Sequence, residues 1–217
     1  MPSISIDVHA DPICPWCFIG KRRLARALEL VGSEDLVVHW RAFQLNTAIP
    51  REGMERQQYL ASKFGGADRA RLVYDAIRRE GETLGIPFAF ARIQRTPNTV
   101  DAHRLVFLAR GMGCADAVLE GLFEAYFLAG RDIGCRDELA LIGAASGLEG
   151  NLAEFLAGDE GRAAVLTEDA AARASGISGV PHFTVAGRYL LPGAQSPEVI
   201  ARAIELARVS TQAKLSG

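Results

Sequence analysis

The sequence predicts an α/β fold in which a block of helices interrupts a small sheet unit. Three observations carry this expectation. An alternating β-rich stretch, a helix and a second β-rich stretch follow one another within the first 43 residues. From about Glu52 to Arg173 the pattern is helical, punctuated by glycine, with little strand character. β character then returns near residues 181 to 191, ahead of a closing helix. The sheet unit is expected over 1–50 plus 176–217, and the helical insertion over 51–175.

Each element has its own signal. "ISIDVHA" alternates apolar and polar side chains and reads as a strand from about residue 4 to 9. "DP" turns the chain, and from about Cys14 the periodicity becomes helical until Gly32. "LVVHWRAF", residues 36 to 43, is a second strand, and the helix between the two implies parallel pairing. In the middle, residues 68–84, 101–110, 115–129, 136–146, 151–157 and 160–174 read as helices. The first of these places Leu72, Ala76, Ile77, Glu80 and Leu84 at helical spacing. The third carries Val118, Leu119, Leu122, Phe123, Tyr126 and Phe127 on one broad face. "PHFTVAGRYLL" gives two short strands around a turn at Ala186–Gly187. The last helix opens with Ser196 as cap and Pro197 in its first turn.

Composition narrows the function classes. Apolar residues make up 49% of the 217, enough for a large core. A formal charge of −2 with no basic block argues against nucleic-acid binding. No apolar run approaches the roughly 18 residues that a bilayer-spanning helix needs. The opening "MPSISIDVHADPIC" lacks a basic segment followed by an apolar one, so a cytoplasmic location is expected. Four cysteines are too few for a disulfide scaffold there, which turns attention to their chemistry.

Cys14 and Cys17 stand two residues apart in "DPICPWCFIGKRR", at a strand-to-helix junction. A cysteine at a helix start meets free N–H groups that favour its thiolate. Cys17 falls about one turn further along the same side, close enough to pair. Cys14 is then the attacking sulfur and Cys17 the resolving one. Pro15 preorganises the first turn and Trp16 adds apolar surface beside the nucleophile. A structural zinc site is disfavoured because no second cysteine or histidine pair exists at ligand spacing, so no metal is expected. Cys114 and Cys135 flank a helix of roughly 20 Å, too long for a bond without the chain doubling back. No disulfide between them is expected.

Further stretches carry a resemblance. "CPWCFIG" after a first strand, then "WRAFQLN", "AHRL", "LFEAYFLAGRDIG" and "SGVPHFTVAGRYLLPGAQ", are similar to the FrnE-like branch of the DsbA family of thiol–disulfide oxidoreductases. The resemblance spans roughly residues 4 to 209. It implies a thioredoxin fold with a helical domain inserted into it. It also implies that Pro181 in "GVPHF" is a cis-proline facing the dithiol, with the Val180 backbone free to align an extended partner. Phe18, His182, Asn98 and His103 join Pro15 and Trp16 as candidate modulators. Lys21, Arg22 and Arg23 either add positive potential near Cys14 or are ordinary solvated charges.

The expected function is thiol–disulfide exchange with protein or small-molecule partners. No cofactor is required, and glutathione is a candidate redox partner. Two other classes compete. Kappa-class glutathione transferases and 2-hydroxychromene-2-carboxylate isomerases share the inserted layout but use serine where Cys14 stands, leaving Cys17 unexplained. A redox-sensitive chaperone or interaction protein would use the apolar surround of Cys14. Family analogy alone suggests a homodimer through the insert.

Overall fold

A computed structural model describes residues 3–215. Residues 1, 2, 216 and 217, the outer ends of the expected sheet unit, lie outside the described residues. A four-stranded sheet has the order β2-β1-β5-β6, built from β1 (Ile4–Ala10), β2 (Leu36–Ala42), β5 (His182–Val185) and β6 (Tyr189–Pro192). β1 pairs in parallel with β2, from Ile4 opposite Leu36 to Ala10 opposite Ala42. The other neighbours run antiparallel, with His9 of β1 opposite His182 of β5. Alternation along β1 buries Ile4, Ile6, Val8 and Ala10 on one face. Ser5, Asp7 and His9 lie half-buried on the other.

Helix α1 (Pro15–Val31) crosses from β1 to β2 and packs beside the closing helix α9 (Pro197–Leu215). Its buried side holds Cys17, Phe18, Ile19, Leu24 and Ala27. Between β2 and β5 lie α2 (Arg56–Phe64), α3 (Ala67–Glu82), α4 (Val100–Gly111), α5 (Ala115–Phe123), α6 (Arg136–Ala145), α7 (Leu152–Ala157) and α8 (Arg162–Ala174). Helix α8 binds the end of β2 through Glu168, which accepts from the Ala42 N–H at 2.7 Å, and Asp169, which accepts from the Gln44 N–H at 2.7 Å. This is the thioredoxin fold with a large helical insertion.

Four details go beyond the expectation. Residues 56–64 form a helix that weak periodicity concealed. Two-residue strands β3 (Met54–Glu55) and β4 (Arg95–Thr96) pair across the insert, where only helix was expected. The stretch read as one helix over 115–129 widens into a π-helical turn over Glu124–Leu128 after α5. Finally, Leu72 of α3 is 69% exposed, while Ala70, Tyr74 and Ile77 are buried. The Tyr74 ring stacks edge-on to Phe90, 4.6 Å between centroids, and its hydroxyl accepts from Arg56 at 2.6 Å. Those contacts, rather than aliphatic periodicity, choose the buried face.

Candidate active site

The site is assembled at the start of α1. Cys14 caps that helix in an extended conformation, φ −93° and ψ 112°, and Pro15 occupies the first turn. The Cys14 N–H donates to the Asp11 carbonyl at 2.9 Å, and the Cys17 N–H to the Cys14 carbonyl at 2.9 Å. The Cys14 thiol donates to the carbonyl of Val180, 3.5 Å away and 166 residues distant in sequence. The Val180–Pro181 peptide is cis. Gly20 gives Pro181 its seat, because a Cβ there would come within 2.9 Å of the proline ring.

Both sulfurs are recessed: Cys14 is 3% exposed and Cys17 1%, whereas Trp16 between them is 37% exposed. Their acidities diverge. A hydrogen bond from the Cys17 thiol holds the Cys14 pKa below the usual thiol value, outweighing burial, and the Cys17 N–H adds to it. Burial pushes Cys17 well above that value, and donation to Cys14 raises it further. Cys14 is therefore the more acidic of the two sulfurs. All four cysteines, Cys114 and Cys135 included, carry free thiols.

Beneath the dithiol lies a carboxylate that sequence reasoning passed over as part of a turn. Asp11 is fully buried; its oxygens accept from the Ile13 N–H at 3.2 Å, the Leu45 N–H at 2.5 Å and the Thr99 hydroxyl at 3.4 Å. Burial raises its pKa. His103 lies in this buried layer rather than on an open wall, with Nε2 3.8 Å from Asp11 Oδ1 and burial lowering its pKa. The signal was present in "DPIC": a charged side chain three residues before the first cysteine.

The remaining candidates disperse. Asn98 donates to the Ile49 carbonyl at 2.8 Å and accepts from the Val100 N–H at 3.0 Å, so its amide ties the start of α4 to the segment around Ile49. His182 belongs, by alternation with the buried Phe183, to the sheet face turned away from α1. Phe18 is fully buried and stacks on Phe123 of α5, with centroids 5.0 Å apart. Lys21, Arg22 and Arg23 are each committed to a carboxylate. Lys21 meets Asp116 at 2.8 Å and Glu120 at 3.1 Å, while Arg22 pairs with Glu120 and Arg23 with Glu80. Among the described residues no group of three or more His, Cys, Asp or Glu is placed to hold a metal.

A thioredoxin fold carrying a free, asymmetrically acidic dithiol at the start of α1 defines a thiol–disulfide oxidoreductase. The model of the DSBA-like thioredoxin domain matches residues 5–205, and the chain belongs to that family. It is 25% identical over 206 residues to YwbO of Bacillus subtilis (strain 168), covering 93% of this chain and 96% of that protein. The crystal structure of the probable DsbA oxidoreductase SCO1869 from Streptomyces coelicolor superposes with a TM-score of 0.85 at 25% identity. That match covers 94% of this chain and 89% of the other. The cytosolic disulfide reductase DsbM from Pseudomonas aeruginosa, solved with GSH, shares the fold at TM-score 0.62 and 22% identity, covering 98% and 100% of the two chains.

Proposed function

We propose that Cys14 is the nucleophile, Cys17 the resolving thiol, and Val180 with Pro181 the edge against which the partner is held. The Cys14 thiol on the Val180 carbonyl, 3.5 Å away, is the observation that carries this reading. The Cys14 thiolate attacks one sulfur of a disulfide RSSR, forms Cys14–S–SR and expels RS⁻. Cys17 loses its proton to solvent and attacks the Cys14 sulfur, closing the Cys14–Cys17 disulfide and releasing the second RS⁻. The dithiol gives up two electrons and the partner gains them. The reverse sequence oxidises a partner dithiol, and the reduction potential sets the direction.

The partner is a protein or low-molecular-weight thiol or disulfide, with glutathione the leading small one. DsbM, named as cytosolic and solved with GSH, motivates both this choice and a cytoplasmic location. "CPWCFIG", whose glycine seats Pro181, supports membership of the FrnE-like branch. A transferase role would leave the buried Cys17 without a task. The test is turnover of a protein disulfide such as insulin, together with trapping of the glutathione adduct by mass spectrometry. Cys17→Ser should accumulate the adduct at Cys14, and Cys14→Ser should abolish turnover. Turnover that survives Cys14→Ser sinks the reading.

A further inference from the structure

Asp11 and His103 are a buried acid and base that the exchange steps leave unused. Both are buried, and a buried charge is costly unless it is neutralised. The carboxylate joins three segments. Oδ1 accepts from the N–H of Ile13, the residue before Cys14, while Oδ2 accepts from the Leu45 N–H after β2 and from the Thr99 hydroxyl at the start of α4. His103 stands one turn further along α4, its N–H donating to the Thr99 carbonyl at 2.9 Å. Its Nε2 is buried without a hydrogen-bond partner and lies 3.8 Å from Asp11 Oδ1. Among the described residues, His103 is the sole group at ion-pair distance from Asp11.

The pair is built into the turn that carries the nucleophile. The Asp11 carbonyl accepts from the Cys14 N–H at 2.9 Å, which fixes the residue bearing the carboxylate to the residue bearing the sulfur. Negative charges on neighbouring buried groups repel, and charge on Asp11 raises the pKa of both Cys14 and Cys17. The other charges that reach His103 are already paired. Glu168 of α8 meets Arg110 of α4 at 2.7 Å and Arg41 of β2 at 3.3 Å, and Asp169 of α8 meets Arg173 at 3.0 Å. On the side of α2 and the π-helical turn, burial keeps the Tyr59 and Tyr126 phenols protonated, and Lys63 feels both Asp11 and Cys14. Burial raises the pKa of Asp11 and lowers that of His103, which brings their proton affinities toward each other and makes them titrate as a unit.

We infer that Asp11 and His103 bind one proton between them when the disulfide is reduced and release it when the disulfide forms, offsetting the charge that comes and goes on Cys14. The inference rests on the dithiol reading above and adds the coupling of that dithiol to pH. In reduction by two thiols RSH, the Cys14–Cys17 S–S bond breaks, RS–SR forms, and two electrons pass to the protein sulfurs. Of the two protons the thiols give up, one goes to Cys17 and the other to the pair, while Cys14 stays a thiolate. Asp11 and His103 act through the Cys14 charge and are not themselves reacting groups.

Two measurements test it. In the wild type, the imidazole nitrogens of His103 are followed by NMR against pH in the oxidised and in the reduced protein. The titration midpoint should lie about one pH unit or more higher in the reduced protein, a tenfold gain in proton affinity, and Cys14→Ser should titrate as the oxidised protein does. The second measurement is the equilibrium with a glutathione redox buffer, taken over the pH range in which alkylation shows Cys14 to be a thiolate. Without the pair, reduction by two glutathione thiols releases one proton, so the constant favouring reduced protein climbs about tenfold per pH unit. Uptake by the pair cancels that release. The wild-type constant should therefore stay nearly flat, and that of His103→Gln should climb about tenfold per pH unit. His103 midpoints within about 0.3 pH unit in the two redox states, a twofold difference in affinity, overturn the inference while dithiol exchange stands. So do parallel glutathione profiles in wild type and folded His103→Gln. The NMR arm needs no variant and decides even where His103→Gln fails to fold. A wild type that reaches no equilibrium with glutathione overturns both readings.

Discussion

Gly20→Ala tests whether the seat of Pro181 controls the dithiol. A Cβ at position 20 would lie 2.9 Å from Pro181 Cγ, 3.3 Å from Phe183 Cζ and 3.4 Å from Pro181 Cβ. Carbon atoms rest about 3.5–4.0 Å apart, so the proline ring has to retreat by roughly 0.6–1 Å. Two energies oppose each other. Alanine in a helix interior gains about 1 kcal/mol over glycine, and overpacking costs about 1–3 kcal/mol. Their difference is a loss of about 0–2 kcal/mol, which leaves the chain folded. The site suffers more, because Val180 moves with Pro181 and its carbonyl is 3.5 Å from the Cys14 sulfur. A displacement approaching 1 Å near reacting atoms costs up to about a hundredfold in rate. The expected result is a ten- to hundredfold slower exchange with oxidised glutathione, at a urea midpoint close to wild type. Wild-type kinetics in a folded Gly20→Ala protein would show that the contact between α1 and Pro181 does not position the chemistry.

Phe18→Ala should destabilise the fold by about 3–5 kcal/mol in urea titrations, since the ring is fully buried against Phe123 and edge-on to Phe88. A loss under about 1 kcal/mol would mean the aromatic cluster closes over the gap. Asp11→Asn should lower the pH midpoint of Cys14 alkylation, because the Asp11 carboxylate raises the Cys14 pKa and asparagine removes that charge. The same variant has a signed stability effect. Asp11 holds its proton more tightly folded than unfolded, so its contribution is present below the unfolded pKa and fades as pH rises through the raised folded one. Stability of Asp11→Asn minus that of wild type should therefore climb between acid and neutral pH; a flat difference would place Asp11 in a solvated environment. Loss of one acceptor for the Ile13 or Leu45 N–H shifts the whole curve by about 1 kcal/mol without changing its slope.

The sheet was legible in the sequence because burying one face imposes a period of two on β1 and on "PHFTV". The helix order was legible from apolar repeats and glycine stops. The β3–β4 pairing was not, because two residues have no period and their partner lies 40 positions away. The buried face of α3 was not legible, because Tyr74 answers to Arg56 and Phe90, neighbours that no local pattern reveals. At the site, the spacing of Cys14 and Cys17 announced a dithiol. Asp11 hid inside a turn motif, and the influence of Lys63 on Cys14 was silent because the two are 49 positions apart.

The fate of the charges after the dithiol ties these facts together. "GKRR" gathers three cations onto α1 within nine residues of Cys14, and sequence proximity alone would make them the tuners of its thiolate. Instead Lys21 and Arg22 reach α5, and Arg23 reaches Glu80 of α3 and the Ala194 carbonyl. With Phe18 stacked on Phe123, these contacts clamp α1 to the insert and hold its first turn under Val180. A neutralised cation contributes little field at Cys14. Lys63, by contrast, has no carboxylate partner at ion-pair distance among the described residues, and it favours the thiolate from the neighbouring helix. The insertion thus does two separable things: its acidic residues fix the helix that carries the nucleophile, and Lys63 adds a lesser contribution to a thiolate favoured chiefly by the Cys17 hydrogen bond. Changes at Glu120 should therefore register in stability first, and changes at Lys63 in reactivity first.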